Sequence, residues 1–566
     1  MESASSNARS SRGDSRSTAL KACVFATGLA GIVAEYTMAT LASYLLGDAI
    51  LNWTLIISLM LFAMGLGSRL SRALRGPLLD TFVAVELTLS VVVAASAPAA
   101  YLLSARVEAT GLVIYTIACV IGLLIGLELP LVTRLNQRFE ELRLNIGSVL
   151  EHDYYGALLG GVLFAWVGLP HLGLTYTPLA LGAVNLVVAS YLFGRYRGAF
   201  ARPRTIAAGC LGAAAALIAI GALAEPIVRY GEQQKYRDRV VYQEQTRYQR
   251  IVMTRFKDHH WLYLDGHQQF STFDQERYHE PLVHPAMALA NRRQRVLIVG
   301  GGDGLALREV LKHRDVEAVT VAELDPAITR LATTHPVLRQ VNGEAFADPR
   351  VEVVHRDGYG YLLDSDTIFD VVIVDLPDPR TVDLARLYSR PFYELVSRHL
   401  SPGGVLVTQA TSPFFSRRAF LSILATMRAA GLEAVPYHNH VPTMGEWGWV
   451  LGQRGPASAD SVPAGSVPAG SVADRATVDR ATVDGASAAS EDATRQGEPR
   501  VGSGLRARLM ALDFAGIETR FLSPEAMVGM LHFGKGIVEG AGELEVSDEA
   551  NLAVFYYYRD SDWDLY

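Results

Sequence analysis

Apolar positions follow two different rhythms along this chain. Over the first ~225 residues they form seven long runs, near 21–45, 50–68, 79–103, 110–133, 148–168, 173–194 and 204–223. Each is about the ~20 residues that an α-helix needs to cross a bilayer. Periodicity alone cannot separate a buried core helix from a membrane helix, but length and the near absence of Lys and Arg inside the runs select the membrane reading. The first run is too long for a cleaved signal peptide and carries Glu35, so it reads as a retained first helix. Residues 1–19 before it read as an unstructured terminus. Beyond residue ~290 the rhythm changes to short Val/Ile-rich runs alternating with helical stretches, which predicts buried parallel strands in an α/β domain.

Charge sharpens the picture of the first half. Arg9, Arg12, Arg16 and Lys21 precede the first run, Arg69, Arg72 and Arg75 follow the second, and Arg134, Arg138 and Arg143 follow the fourth. Arg195, Arg197, Arg202 and Arg204 follow the sixth, while the intervening loops hold only Arg106. The excess of basic residues on alternate loops predicts a multi-pass protein of the cell (inner) membrane with a cytoplasmic N-terminus. Seven spans then carry the C-terminal half to the other face, and one span more or fewer reverses that, so the side holding the site stays open. Five acids, Glu35, Glu86, Glu128, Glu151 and Asp153, lie within or at the ends of the runs. They read as interhelical bonding groups or as part of an ion or substrate path. Gly156, Gly160 and Gly161 predict close helix packing.

Residues 225–290 alternate apolar and polar positions, with an Asp265-Gly266 turn, and predict a small antiparallel β unit. A Rossmann-like α/β domain is expected over 291–454. Residues 455–500 repeat Ser-Val-Pro-Ala-Gly and Asp-Arg-Ala-Thr-Val without an aromatic residue and read as a disordered spacer. Residues 501–566 regain globular composition and are expected to complete the domain, ending in an aromatic strand, Val554-Phe-Tyr-Tyr-Tyr558.

In the α/β domain, four acids each follow an apolar run: Asp303, Glu323, Asp357 and Asp375. Ligands of parallel sheets bind at the carboxyl ends of the strands, so these acids are expected to converge on one crevice. Gly300, Gly301 and Gly302 lead into Asp303, and Glu323 lies twenty residues beyond it, where an acid can hold both ribose hydroxyls. Asp303 itself stands where a pyrophosphate would sit, and a carboxylate repels phosphate there. The expected ligand is a nucleoside with a cationic tail, such as a sulfonium. Asp375-Leu-Pro-Asp-Pro379 places two acids on a proline-stiffened loop, suited to a primary ammonium. The net charge of −7 argues against general nucleic-acid binding. The three cysteines all lie in the apolar half, and no ligand cluster for a metal is evident; His438 and His440 stand close together, but on an expected strand or loop.

Residues ~236–453 resemble the spermidine synthase (polyamine aminopropyltransferase) family. The resemblance rests on Tyr248-Gln249, Leu264–Phe270, Asp274, Tyr278-His-Glu280, His284-Pro285, Gly300–Glu309, Glu323–Pro326, Asp357-Gly358, Asp375, Asp378-Pro379, Leu387-Tyr-Ser389, Phe392-Tyr393, Pro402–Leu406 and Gln409. The apolar half is similar to the multi-span region fused to some bacterial members. The resemblance implies transfer of an aminopropyl group from decarboxylated S-adenosylmethionine, as co-substrate, to an amine such as putrescine. Methylthioadenosine is released, and no metal or permanently bound cofactor is needed. It implies donor binding by Gln249, Gly300, Gly302, Asp303, Glu323, Asp357 and Gly358. Asp375 would be the acid/base residue, assisted by Tyr278, with His279, Asp378 and Gln269 along the acceptor channel. It also implies a homodimer formed through the synthase domain, with the lipid bilayer as the other partner. Two departures, Arg380-Thr-Val-Asp383 after the acidic loop and Met444 in place of an aromatic residue, leave the acceptor open. Two other functions remain in view: a different S-adenosylmethionine-dependent transferase, and a polyamine transporter or sensor whose soluble domain only binds.

Overall fold

The computed structural model describes residues 2–46, 49–104, 106, 109–137, 142–454 and 503–563, and it divides into two compact units, residues 1–273 and 274–566. The expected spacer at 455–500 lies outside the described residues.

The first unit holds seven long helices followed by a four-stranded sheet. The helices are α1 (Glu2–Leu46), α2 (Ala49–Ser71), α3 (Leu78–Ser104), α4 (Thr110–Asn136), α5 (Leu142–Leu163), α6 (Gly173–Tyr196) and α7 (Pro203–Lys235). Helix α1 begins at Glu2, so most of the 1–19 segment expected to lack structure is helical backbone. Extending a formed helix carries no second nucleation cost. Among the described residues six stretches, not the expected seven, are long and apolar enough to be membrane spans, because residues 143–199 count as one stretch of 57 residues. A straight helix of that length would reach ~85 Å, far beyond a hydrocarbon core of ~30 Å. A π-helical segment, Phe164–Leu172, and Gly173 (φ 62°, ψ −171°) break it into α5 and α6.

Contacts between helix termini fix which ends lie together. The Arg134 guanidinium, near the end of α4, donates to the carbonyls of Ser71 (3.0 Å) and Leu74 (3.1 Å) beyond α2. Asn136 donates to Asn145 of α5 at 2.9 Å, and the Asp80 carboxylate of α3 accepts from the backbone of Ala201 and Arg202 at 3.0 and 2.9 Å. The arginine-rich connections therefore share one end. At the other end Tyr44 of α1 donates to Glu232 of α7, and the Lys235 ammonium sits 4.0 Å from the Tyr44 ring centre and 6.0 Å from that of Tyr101 in α3. Two of the three expected packing glycines meet the α1 backbone too closely for a side chain: a Cβ at Gly156 would lie 2.0 Å from the Phe25 carbonyl, and one at Gly160 2.6 Å from that of Leu29. Gly161 has only an ordinary contact with the Tyr36 ring. Glu86 and Glu128 are buried between helices, side by side.

Helix α7 runs to Lys235, past the expected start of the β unit at 225. Strands β1 (Arg239–Gln245), β2 (Arg250–Phe256), β3 (His259–Leu264) and β4 (His267–Ser271) then form an antiparallel sheet in sequence order. The β3–β4 hairpin turns through Asp265 (φ 49°) and Gly266 (φ 84°), the pair of positive φ angles that suits a right-twisted two-residue turn.

The second unit begins with α8 (Glu276–Leu289), which lies inside the 225–290 segment expected to be a β unit. Its residues Tyr278, Leu282, Val283, Ala286, Met287 and Leu289 are core of the second unit instead. There follow β5 (Arg295–Gly300), α9 (Leu305–Leu311), β6 (Ala318–Glu323), α10 (Pro326–Thr334), α11 (Pro336–Val341), β7 (Val351–His355), α12 (Gly358–Leu363), β8 (Phe369–Asp375), α13 (Val382–Arg386) and α14 (Arg390–Arg398). The unit continues with β9 (Leu400–Gln409), α15 (Arg417–Ala429), β10 (Leu432–Val441), β11 (Gly445–Arg454), α16 (Ser503–Met510), α17 (Pro524–Met530) and α18 (Ala553–Arg559). The expected C-terminal strand at 554–558 is thus helix α18. The sheet order is β10-β11-β9-β8-β5-β6-β7, with β9 to β7 parallel and β10 and β11 antiparallel. Alternate residues of β5 and β8 enter different cores: Val296, Ile298, Val371 and Ile373 one, Leu297, Val299, Val372 and Val374 the other. Burial on both faces explains why these strands are continuous apolar runs. The chain runs from β5 outward through β6 to β7 and then returns to β8 on the other side of β5. The gap between β5 and β8 is the switch point where sheets of this kind bind ligands.

Candidate active site

The four acids that follow apolar runs stand in a row, because β8, β5, β6 and β7 are neighbours. Gly300, last in β5, pairs with Asp375, last in β8. The turn after Gly300 has no room for side chains. Gly300 has φ 80°, and a Cβ there would come 2.2 Å from the Asp375 carbonyl. A Cβ on Gly302 would meet Glu323 Oε2 at 2.7 Å. Instead the Gly302 amide donates to Glu323 Oε2 (3.2 Å), and the Asp325 amide donates to Oε1 (2.9 Å). Glu323 is therefore oriented by two backbone donors at the end of β6.

Asp303 accepts from the Leu305 amide through Oδ1 at 2.8 Å, a local turn, and its other oxygen has no hydrogen bond among the described residues. Asp357 caps α12 through Gly360 N at 2.8 Å and is exposed at the edge of the row. Gly358, behind it, is packed so closely on Val299 that a Cβ would lie 2.3 Å from Cγ1. Asp303 acts electrostatically on both Glu323 and Asp375, and Glu323 acts on Asp375 as well.

Asp375 is the hub. The Tyr278 hydroxyl of α8 donates to its Oδ1 at 3.0 Å. Burial pushes the Asp375 carboxyl up to about 8, and the Asp303 and Glu323 carboxylates add to this, while the Tyr278 bond pulls it partly back. Burial also lifts Glu323 to about 7. His279 is lowered by burial, and its Nδ1 lies 2.8 Å from the Gln275 carbonyl, which requires the proton on Nδ1. Asp378 is raised to about 6 by burial, opposed by hydrogen bonds from Tyr558 and Gln409, the latter at 3.2 Å. Gln249 and Gln269 belong to the first unit. Gln249 lies just before β2, its backbone closed onto Thr246, and Gln269 lies on β4 with its amide donating to the His267 carbonyl at 3.1 Å. His438 and His440 lie on β10, where His438 is engaged by Glu446 (2.9 Å) and the His532 carbonyl (2.9 Å). Among the described residues no group of three or more His, Cys, Asp or Glu side chains is placed to hold a metal ion.

Residues 275–459 match the spermine/spermidine synthase domain family. The chain is also 44% identical over 449 residues to polyamine aminopropyltransferase 2 of Aquifex aeolicus, covering 79% of this chain and 90% of that protein. This chain belongs to the polyamine aminopropyltransferase family. It is likewise 42% identical to polyamine aminopropyltransferase 2 of Ralstonia nicotianae over 450 residues, 78% of this chain and 87% of that one. Among solved structures, a spermidine synthase in complex with the transition state analogue AdoDATO is 32% identical over 38% of this chain and 74% of that chain, with a TM-score of 0.37.

Three residues of this aminopropyltransferase site escaped sequence reasoning as contributors. Tyr558 reaches Asp378 from α18, 180 positions further along the chain (558 − 378). Tyr388 donates to the Pro377 carbonyl at 3.0 Å and so braces the acidic loop; its Leu387-Tyr-Ser389 setting was a family signal without an assigned role. Thr411 has φ 57°, a strained conformation for a β-branched residue, and its amide donates to Gln409 Oε1 at 2.9 Å. No local pattern marks Thr411, because the strain is imposed by the pairing of its carbonyl with the Gly448 amide at 2.8 Å.

Proposed function

We propose that this protein is a membrane-anchored aminopropyltransferase that moves an aminopropyl group from decarboxylated S-adenosylmethionine to a di- or polyamine such as putrescine. The observation that carries the reading is the buried Tyr278–Asp375 pair at the switch point of the sheet, beside two further carboxylates. In this reading Glu323 holds the ribose hydroxyls, Asp357 the adenine amino group, and Gln249 the nucleoside. Gly300, Gly302 and Gly358 let it approach the backbone. Asp303 holds the ammonium of the aminopropyl tail through its free oxygen. Asp378, His279 and Gln269 line the path of the acceptor.

The acceptor nitrogen attacks the methylene carbon bonded to sulfur. The new C–N bond forms as the C–S bond breaks, and the bonding pair goes to sulfur, giving neutral methylthioadenosine. The attacking nitrogen must first lose a proton that a primary amine keeps near neutrality, at an ordinary pKa of about 10.4. Asp375, raised to about 8, takes that proton far more readily than an ordinary aspartate would. Tyr278 orients the carboxylate toward the nitrogen. The six apolar helical stretches support the membrane part of the proposal. Incubating the purified protein with decarboxylated S-adenosylmethionine and a panel of di- and triamines, followed by mass analysis, tests it. An aminopropylated amine together with methylthioadenosine is the expected result. Failure to form either with any amine overturns it.

A further inference from the structure

The arginine-rich end of the helix bundle holds a cavity of about 500 Å³ between α2, α4 and α5. Pockets for small molecules run from roughly 300 to 1,000 Å³, so the space suits a compact ligand. Its apolar wall comes from Leu129 of α4 and from Ile146, Val149 and Leu150 of α5, whose i, i+3, i+4 spacing is a single helix face. Val149 is buried, whereas Ile146 keeps 45% of its surface exposed. The wall therefore runs from the interior of the bundle to its outside. The polar side is made by Ser68 of α2, by Arg72 just beyond that helix, and by Arg134 near the end of α4.

Two cations thus line the cavity, and no Asp or Glu does. Arg134 is held in place, its terminal nitrogens donating to the carbonyls of Ser71 (3.0 Å) and Leu74 (3.1 Å). Those acceptors are neutral, so the charge of Arg134 is not cancelled, and its guanidinium keeps further N–H donors to give. Arg72 is exposed, and its side chain makes no hydrogen bond or ion pair among the described residues. Guanidinium groups take phosphate oxygens in pairs, with a planar fork that matches them. An apolar wall that leads outward from two such groups suits a molecule with a phosphate at one end and hydrocarbon at the other. Basic pockets between membrane helices on the cytoplasmic side bind lipid head groups of that kind, and loops rich in arginine mark that side. A zwitterionic head group would bring its ammonium to a cavity with no acid to receive it. We propose that this cavity binds the head group of an anionic phospholipid, with the phosphate between Arg72 and Arg134 and the glycerol toward Ile146. This rests on the membrane part of the function proposed above, and gives the bilayer a defined point of contact on the chain.

The test uses the full chain in neutral detergent, mixed with phosphatidylglycerol or with phosphatidylcholine of the same acyl chains. Bound lipid is counted by native mass spectrometry. Phosphatidylglycerol should be retained and phosphatidylcholine lost. Arg72→Gln should lower phosphatidylglycerol retention about fivefold, the worth of one cation beside an anionic lipid. Arg75→Gln is the control: Arg75 is exposed and lies outside the cavity lining, and its loss should change retention by less than about twofold. Equal losses in the two variants would mean a general attraction to the charged end of the bundle and overturn the inference. Equal retention of the two lipids would overturn it as well. Inorganic phosphate at millimolar concentration should leave the lipid in place; displacement would make free phosphate the ligand and the lipid assignment wrong. Carbonate extraction of cell membranes tests the membrane reading separately. A parent released by carbonate counts against that reading, whereas a parent that stays in the membrane and retains no phosphatidylglycerol overturns this inference alone.

Discussion

An aspartate that collects a proton from an amine must hold protons about as tightly as the solution in which it works. Burial and two neighbouring carboxylates give Asp375 that property, raising it to about 8. Asp375→Asn should lower kcat by roughly 10²–10⁴-fold while nucleoside affinity, measured by calorimetry, stays within about twofold. Full activity in this variant would remove the proposed chemistry. The pH dependence has a fixed sign: the carboxylate form is the one that works, so kcat should fall about tenfold per pH unit below about 8. Tyr278→Phe should move that limb upward, since the bond it removes stabilises the carboxylate. The same shift has a cost in stability. A carboxyl whose folded pKa lies above its unfolded value favours the fold at low pH, and that contribution is lost as pH rises toward about 8. Asp375→Asn should therefore also raise the melting temperature of the second unit near pH 7, by up to about 4 kcal/mol of stability. The strand-end acids were legible in the sequence because each follows its own apolar run. Tyr558 was not, since its partner Asp378 is brought to it only by the completed fold.

Elements that short patterns define came through well, and those defined by packing did not. Asp265-Gly266 announces its turn by residue type, and the Val/Ile runs of β5, β6 and β8 announce burial on both faces. Val554–Tyr558 is apolar and aromatic throughout, and a run of five cannot distinguish strand from helix. The fold decides for helix by burying Val554 and Tyr558, one turn apart, and exposing Tyr556. The α7–β1 border was missed for a similar reason: Glu232 and Lys235 look like solvent-facing residues until Arg250 and Tyr44 meet them. One carboxylate holds three successive amides of the segment after the spacer: Glu280 of α8 accepts from those of Arg520 (2.7 Å), Phe521 (2.8 Å) and Leu522 (2.8 Å). Glu280→Ala leaves three backbone donors unpaired, of which the Leu522 amide is buried, and should cost ~1–3 kcal/mol in chemical denaturation. The spacer itself leaves and returns at one place. Gln453 pairs with Glu433, and Leu505 N donates to Glu433 Oε1 at 3.0 Å. Replacing residues 456–501 with a short Gly/Ser linker should therefore preserve the melting temperature and turnover, because closing a shorter loop across these ends costs no more than closing the long one. Loss of folding in that variant would mean that the spacer contributes structure.

At the scale of the whole molecule, if the apolar helices cross a membrane as proposed, the number of crossings decides on which side the chemistry happens. The arginine-rich connections gather at one end of the bundle, as the Arg134 bonds to Ser71 and Leu74 and the Asp80 bonds to Ala201 and Arg202 require. The chain leaves through α7 at the opposite end, where Tyr44 and Glu232 meet. In that arrangement, counting 143–199 as one span would bring the chain out on the arginine-rich face, and counting it as two, broken at Gly173, would bring it out on the opposite one, as the contacts between helix ends require. Basic loops stay in the cytoplasm, so the second unit should face the other side of the membrane. The co-substrate would then have to be supplied there. The low-complexity stretch 455–500 gives a direct probe, because it carries four trypsin sites, Arg475, Arg480, Arg495 and Arg500. Trypsin added to sealed spheroplasts should cut there and separate a C-terminal fragment of about 7 kDa, while a cytoplasmic marker protein stays whole. Cleavage only after the membrane is opened would place the catalytic unit in the cytoplasm and show that an odd number of crossings is wrong.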